Sequence, residues 1–219
     1  MDLQEYQLVL FDFDGVLVDT EALHFEAYKQ MCAKRGISLK WDEHEYAQFA
    51  LYSAYGLRKA LVAEYPQLRE VKWETLYQEK KEAYHELISK HVELMPGVQP
   101  LLEELAGRQM CVVTHSPRAQ IERIREMHPI LQTIPRWITR EDYEEPKPSS
   151  ECYLKAIELH EPVEKIVGFE DSPRGLTALL GTRAKGILVT SVLPQEEIAR
   201  LRKEMPPFEH IQSFDSVLA

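Results

Sequence analysis

The chain has 219 residues, 44% hydrophobic and 28% charged, with a formal net charge of -10. That length accommodates one substantial domain, or a core with a smaller insertion. The acidic balance argues against non-specific binding to nucleic acid or to an anionic membrane, both of which rely on basic surface.

Leu8 to Phe11 is a short apolar run that reads as a buried strand, and it delivers Asp12-Phe13-Asp14 into one loop closed by Gly15. Two carboxylates brought together this way cost free energy unless a cation or a shared proton relieves them. From about Glu21 to Leu94 no strand pattern occurs. Leu57, Leu61 and Tyr65 predict a helix that stops before Pro66. Leu76, Ala83, Tyr84, Leu87, Ile88 and His91 predict one long amphipathic helix. The block is too long to be a crossover between adjacent strands, so it reads as a helical insertion, with Met95-Pro96-Gly97 as the return hinge. Strands are then expected at Met110 to Thr114, Lys165 to Gly168 and Gly186 to Thr190, with a fainter one at Arg136 to Thr139. Helical spacing lies between them, at Arg118 to Met127, Ser149 to Leu159 and Arg174 to Gly181. This alternation predicts an α/β fold: a Rossmann-like parallel sheet with helices on both faces, formed by 1–20 and 95–219, plus an all-helical cap over 21–94.

Three later motifs also carry chemistry. Cys111-Val112-Val113-Thr114-His115-Ser116 ends a strand on a hydroxyl, which can set that group and the next backbone N–H donors at the carboxyl edge of a parallel sheet. Lys147 lies between Pro146 and Pro148, so its ammonium is carried on a stiff stem. Glu170-Asp171-Ser172-Pro173 again ends a strand in an acidic pair, and Pro173 suits a first helical turn. A helix N-cap at Asp171 or Ser172 explains either residue singly. It does not explain acidic pairs at two strand ends, which together offer the hard oxygen ligands that magnesium takes.

The string DFDGVLVDTE, and the three later motifs in the same order, resemble the haloacid dehalogenase-like superfamily in its phosphatase and phosphomutase branch. The resemblance covers essentially the whole chain. It implies Asp12 as nucleophile, Asp14 as general acid and base, and Thr114 and Lys147 as catalytic phosphate-binding groups. It also implies Mg2+ held by Asp12, the Asp14 carbonyl and Asp171, with Glu170 a ligand or the partner of one. His115 is either a substrate contact or a solvent-facing loop histidine, and with Ser116 it is expected to act more through backbone than side chain. His24, at the start of the cap, either couples cap closure to Asp14 or is a buried hinge residue. Arg58, and the aromatics Tyr46, Phe49, Tyr52 and Tyr55, are the cap residues expected to bear on substrate choice.

The expected function is a magnesium-dependent phosphatase acting on a small phosphorylated metabolite through an aspartyl-phosphate. The alternative is a phosphomutase of the β-phosphoglucomutase type. Mutases of that kind carry a Gly-x-x-Arg-x-x-Ser-Leu string; Gly56-Leu57-Arg58-Lys59-Ala60-Leu61 has a shorter Gly-to-Arg spacing and no Ser, which favours the phosphatase. A receiver-type signalling domain is disfavoured, because receivers are shorter, lack a helical insertion and carry the acceptor Asp on the third strand. Cys32, Cys111 and Cys152 have no metal or disulfide spacing. With no signal-peptide pattern at Met1 to Glu5 and no apolar run of roughly 20 residues, a cytoplasmic monomer is expected, with no nucleic-acid or membrane partner.

Overall fold

Every residue of β1 (Leu8–Phe11) is buried. A parallel strand covered on both faces is continuously apolar for that reason. The other strands are β2 (Met110–Val113), β3 (Arg136–Ile138), β4 (Ile166–Glu170), β5 (Lys185–Val189) and β6 (Glu209–Ile211). In this computed structural model, which describes residues 1–50 and 54–218, they form one parallel sheet in the order β3-β2-β1-β4-β5-β6. Tyr52 lies outside the described residues.

The chain divides into two compact units, Met1–Asp19 with Glu93–Ala219, and Thr20–Val92. The second unit is helical: α1 (Glu21–Ala33), α2 (Glu43–Ala50), α3 (Ala54–Glu64) and α4 (Trp73–Lys90). Its interior joins Phe25, Met31, Trp41, Tyr46, Leu61 and Leu76, and Arg35 clamps Glu79 through two hydrogen bonds of 2.6 and 2.9 Å. The α/β unit adds α5 (Val98–Glu104), α6 (Arg118–Met127), α7 (Glu151–Glu158), α8 (Pro173–Leu180), α9 (Gln195–Glu204) and α10 (Asp215–Leu218). None of the described helices is long and apolar enough to cross a membrane.

The two faces of the sheet are packed differently. Leu8 and Leu10 join Cys111, Val113, Tyr153 and Leu179 in one cluster. Phe11 turns the other way, stacks on Phe169 at 5.4 Å, and both meet the edge of Phe214 at 6.2 and 5.0 Å. The chain runs from β1 to β2 and β3 on one side, then crosses to β4, β5 and β6 on the other. The reversal falls between β1 and β4, and crevices at such switch points, outside the carboxyl ends of the strands, are where α/β proteins bind ligands. Phe11 pairs with Phe169 across this boundary, and the Asp12 N–H donates to Phe169 O at 2.9 Å. That register sets Asp12 beside Glu170.

Where the insertion departs and returns, the α/β unit ties its own two chain ends together. Asp19 N–H donates to Glu93 O at 2.9 Å, and Met95 N–H donates to Leu17 O at 3.0 Å. Gly97 then starts α5 with φ of 81°. The edge strand β6 was not anticipated from sequence. Its residues, Glu209, His210 and Ile211, are exposed or half-buried, so no apolar run announces it. The long helix in the insertion ends at Lys90, and His91 is already extended, with φ -165° and ψ 141°.

Gly97 combines a left-handed backbone with a close approach. A methyl group on it would lie 2.5 Å from the Asp215 amide nitrogen and 2.6 Å from the Phe214 carbonyl carbon. Gly97→Ala is expected to lower stability by about 1–3 kcal/mol, seen as a lower urea midpoint at unchanged slope.

Candidate active site

The site is assembled from the carboxyl ends of three neighbouring strands. β1 leads into Asp12 and then a tight turn in which the Val16, Leu17 and Val18 N–H groups all approach Phe13 O, and Gly15 adopts φ of 73°. A side chain at Gly15 would run into the Asp171 carboxylate, 2.3 Å from Oδ2, so the bare backbone lets the two loops touch. β4 ends in Glu170, followed by Asp171. Ser172 then caps α8, its Oγ accepting from Gly175 N–H at 3.1 Å, and Pro173 opens the helix.

Lys147 joins the two acidic strand ends. Its ammonium donates to Asp12 Oδ1 and Glu170 Oε1, both at 2.7 Å, and to Val113 O at 2.9 Å. Tyr153 on α7 donates to the same Glu170 Oε1 at 2.5 Å. Burial opposes the charged form of Lys147, but Asp12 and Glu170 outweigh it and hold the ammonium above the ordinary lysine range. Burial, and then the Asp12 carboxylate, push Glu170 up to about 7. Glu170 is wholly inaccessible, and its second oxygen has no hydrogen-bond partner. That oxygen rests against the start of α8, where a methyl on Gly175 would fall 2.0 Å from it.

Asp14 faces a different set of groups. Its Oδ2 accepts from Ser116 Oγ at 2.7 Å and from Thr114 Oγ1 at 3.2 Å, while Thr114 Oγ1 itself accepts from Ser116 N–H at 2.9 Å. The sequence reading assigned Ser116 a backbone role, whereas here its hydroxyl makes the shorter contact to Asp14. Tyr143 OH donates to Thr114 O at 3.0 Å, so its contact with His115 Nδ1 at 3.1 Å needs the proton on the imidazole. Loss of solvent, then Arg140, Arg174 and Lys147, lower the His115 pKa.

Ligand atoms of Asp12, Glu170 and Asp171 all lie within 4.8 Å of one another. These are hard oxygen donors carrying more negative charge than Lys147 alone offsets, a set that fits a divalent ion such as magnesium. The Asp14 carboxylate is not part of this cluster; it is turned to the two hydroxyls.

In the helical unit, His24 stacks on Tyr84, ring centroids 3.9 Å apart, and its Nδ1 lies 2.5 Å from Lys80 Nζ. Burial, then Lys80, lower the His24 pKa well below its usual value. Arg58 lies over the Trp73 ring at 5.1 Å. Lys80 was not singled out in the sequence, and Tyr153 stood there only among the helically spaced residues of Ser149 to Leu159. Lys80 could have been found, since it shares the buried face of α4 with Leu76, Ala83 and Tyr84.

Lys80 is buried, and desolvation lowers its pKa from 10.5 to about 8 even though Glu21 pulls the other way. Between those values the folded chain binds fewer protons than the unfolded one, so this group adds stability as pH rises. Relative to Lys80→Met, the wild type is expected to gain on the order of 1–3 kcal/mol from pH 8 to 10.5. Paired urea titrations measure the gain, and a constant difference would refute it.

Comparison with known proteins agrees with the parallel-sheet fold. The profile of the haloacid dehalogenase-like hydrolase family matches residues 9–189. A phosphorylated carbohydrates phosphatase of Thermotoga maritima is 31% identical over 78% of this chain and 79% of that protein. Protein CbbY of Cereibacter sphaeroides is 30% identical over 83% of each. The crystal structure of CbbY from Rhodobacter sphaeroides in complex with xylulose-(1,5)-bisphosphate superposes with a TM-score of 0.69, at 27% identity over 95% of both chains. The chain belongs to the haloacid dehalogenase-like hydrolase family.

Proposed function

We propose that this enzyme is a magnesium-dependent phosphatase that hydrolyses a small phosphorylated metabolite, of the sugar-phosphate kind, through an aspartyl-phosphate. The single observation that carries the reading is the split between the two aspartates of the first loop. Asp12 is held with Lys147 beside the acidic cluster, while Asp14 is turned to Thr114 and Ser116. Two carboxylates in unlike surroundings can take unlike roles.

Asp12 attacks phosphorus as the nucleophile, and the bond from phosphorus to the leaving oxygen breaks. Asp14 in its protonated form supplies the proton to that oxygen. As a carboxylate it then takes one from the water that hydrolyses the aspartyl-phosphate. Ser116 and Thr114 hold Asp14 in position for both steps. Lys147 fixes one carboxylate oxygen of Asp12 and presents positive charge to the equatorial oxygens of the transferring group. Asp12, Asp171, the Asp14 carbonyl and, directly or through its neighbours, Glu170 would hold magnesium, which would offset the carboxylates and draw charge from the phosphoryl oxygens. The sugar-phosphate class is supported by the relatives, one described as acting on phosphorylated carbohydrates and one crystallised with a sugar bisphosphate.

Asp12→Asn is expected to lower phosphate release by at least ~10³-fold in a folded protein. Asp14→Asn is expected to slow both half-reactions, and acid-quenched reactions with 32P-labelled substrate should show label on the wild-type protein and none on Asp12→Asn. A panel of phosphorylated sugars, sugar acids and nucleotides, assayed with magnesium and with chelator, names the substrate. Chelator-resistant turnover, or full activity without Asp12, would overturn the mechanism. Interconversion of sugar-phosphate isomers without phosphate release would point to the mutase.

A further inference from the structure

The helical unit holds a groove of about 700 Å³ that shares no residue with the Asp12 site. One wall is a single face of α3, where Tyr55, Arg58, Lys59 and Val62 follow helical spacing. The opposite face of the same helix carries Leu57 and Leu61 into the interior of the unit. The second wall runs from Arg69 to Lys72 and into the first turn of α4 at Trp73 and Glu74. Leu68 and Val71 contribute apolar surface between the walls.

The charge on this groove is one-sided. Residues 20–92 contain as many Lys and Arg as Asp and Glu, so the net -10 of the chain resides elsewhere. Yet Arg58, Lys59, Arg69 and Lys72 converge here against one carboxylate, Glu74. None of the four is ion-paired with a described residue, whereas Arg35 in the same unit is fully engaged by Glu79. Lys72 caps α4 without a side-chain hydrogen bond, leaving the start of an 18-residue helix, the positive end of its dipole, at the groove. Four cations against one carboxylate repel one another, weakly because solvent screens them, and a bound anion relieves that repulsion. The apolar and aromatic part of the lining calls for something besides charge. Tyr55 is 74% exposed, and Trp73 offers an indole that Arg58 covers on one face. Aromatic side chains beside cations are the combination that receives a planar ring joined to phosphates. The volume lies within the range usual for small-ligand sites.

We propose that this groove is a second, non-catalytic binding site for a nucleoside polyphosphate. Its phosphates are held by Lys59, Arg69 and Lys72, and its base lies against Tyr55 and Trp73. A nucleotide seated there engages α3 and the start of α4 together, so it bears on the unit that carries His24 and Lys80.

The test uses the full chain with EDTA present, so that hydrolysis does not consume the probe. Fluorescence anisotropy follows the β,γ-imido analogue of ATP carrying a fluorophore on its ribose. Saturable binding is expected, weakened about 10-fold or more in the Lys59→Glu/Lys72→Glu variant. Both residues are exposed, and circular dichroism verifies that the variant is folded. Tripolyphosphate is expected to displace the probe at least ~10-fold less effectively than the unlabelled analogue, because it lacks the base. The proposal is overturned by no saturable binding up to about 1 mM, by binding unchanged in the double variant, or by tripolyphosphate competing as well as the nucleotide. Unchanged binding in the double variant would place the probe elsewhere on the chain. Each of these results would leave the phosphatase reading standing, because the Asp12 centre contains none of these residues.

Discussion

The buried ammonium of Lys147, held between Asp12 and Glu170, is the interaction on which the rest of the site depends. Two strand ends of a parallel sheet bring their carboxylates side by side, and neither strand can move without unmaking the β1–β4 register. One fixed cation makes that proximity tolerable. Removing it would strand two carboxylates out of solvent, which is far more costly than an ion pair lost at the surface. Much of the surrounding structure serves this arrangement. Tyr153 adds a second donor to Glu170, Gly175 gives way beneath its other oxygen, and Gly15 lets the first loop touch Asp171. Catalysis by positioning needs such rigidity, because there is little in phosphoryl transfer for a mobile group to do.

Asp14 gains its separate setting from the neighbouring strand. β2 delivers Thr114 and, two residues later, Ser116, and both hydroxyls reach the same carboxylate oxygen. The two aspartates of one loop thus sit in unlike settings: one beside an ammonium and an acidic cluster, the other under two neutral donors. Sheet order decides this, since β1 has β2 on one flank and β4 on the other.

The helical unit is polar in two distinct ways. Inside, Lys80 and His24 stack and bond among tyrosines, and burial depresses the affinity of both for protons. On the face of α3 turned away from the interior of the unit, Arg58 and Lys59 stand beside aromatic surface, with no carboxylate among the described residues ion-paired to them. The first arrangement orders the unit from within, and the second leaves charge available to a ligand.

By itself, the sequence determined the α/β class and the central strand, and it singled out the four loops to which the chemistry is assigned in the proposed mechanism. The physical reason is that a parallel strand buried on both faces must be apolar throughout, so runs such as Leu8 to Phe11 stand out, and the polar residues that end them do too. It also determined that a helical block interrupts the alternation. Tertiary structure alone decided the partners. Lys147 meets Asp12 135 residues away and Ser116 meets Asp14 102 residues away, separations at which no local period carries information. Tyr153 reads as an ordinary core aromatic at helical spacing, and only the packing of α7 against the sheet shows its hydroxyl on Glu170. β6 escaped because an edge strand of charged and half-exposed residues leaves no apolar signature. Lys80 escaped although it shares a helical face with Leu76, Ala83 and Tyr84, because a lysine on a helix is ordinarily solvated.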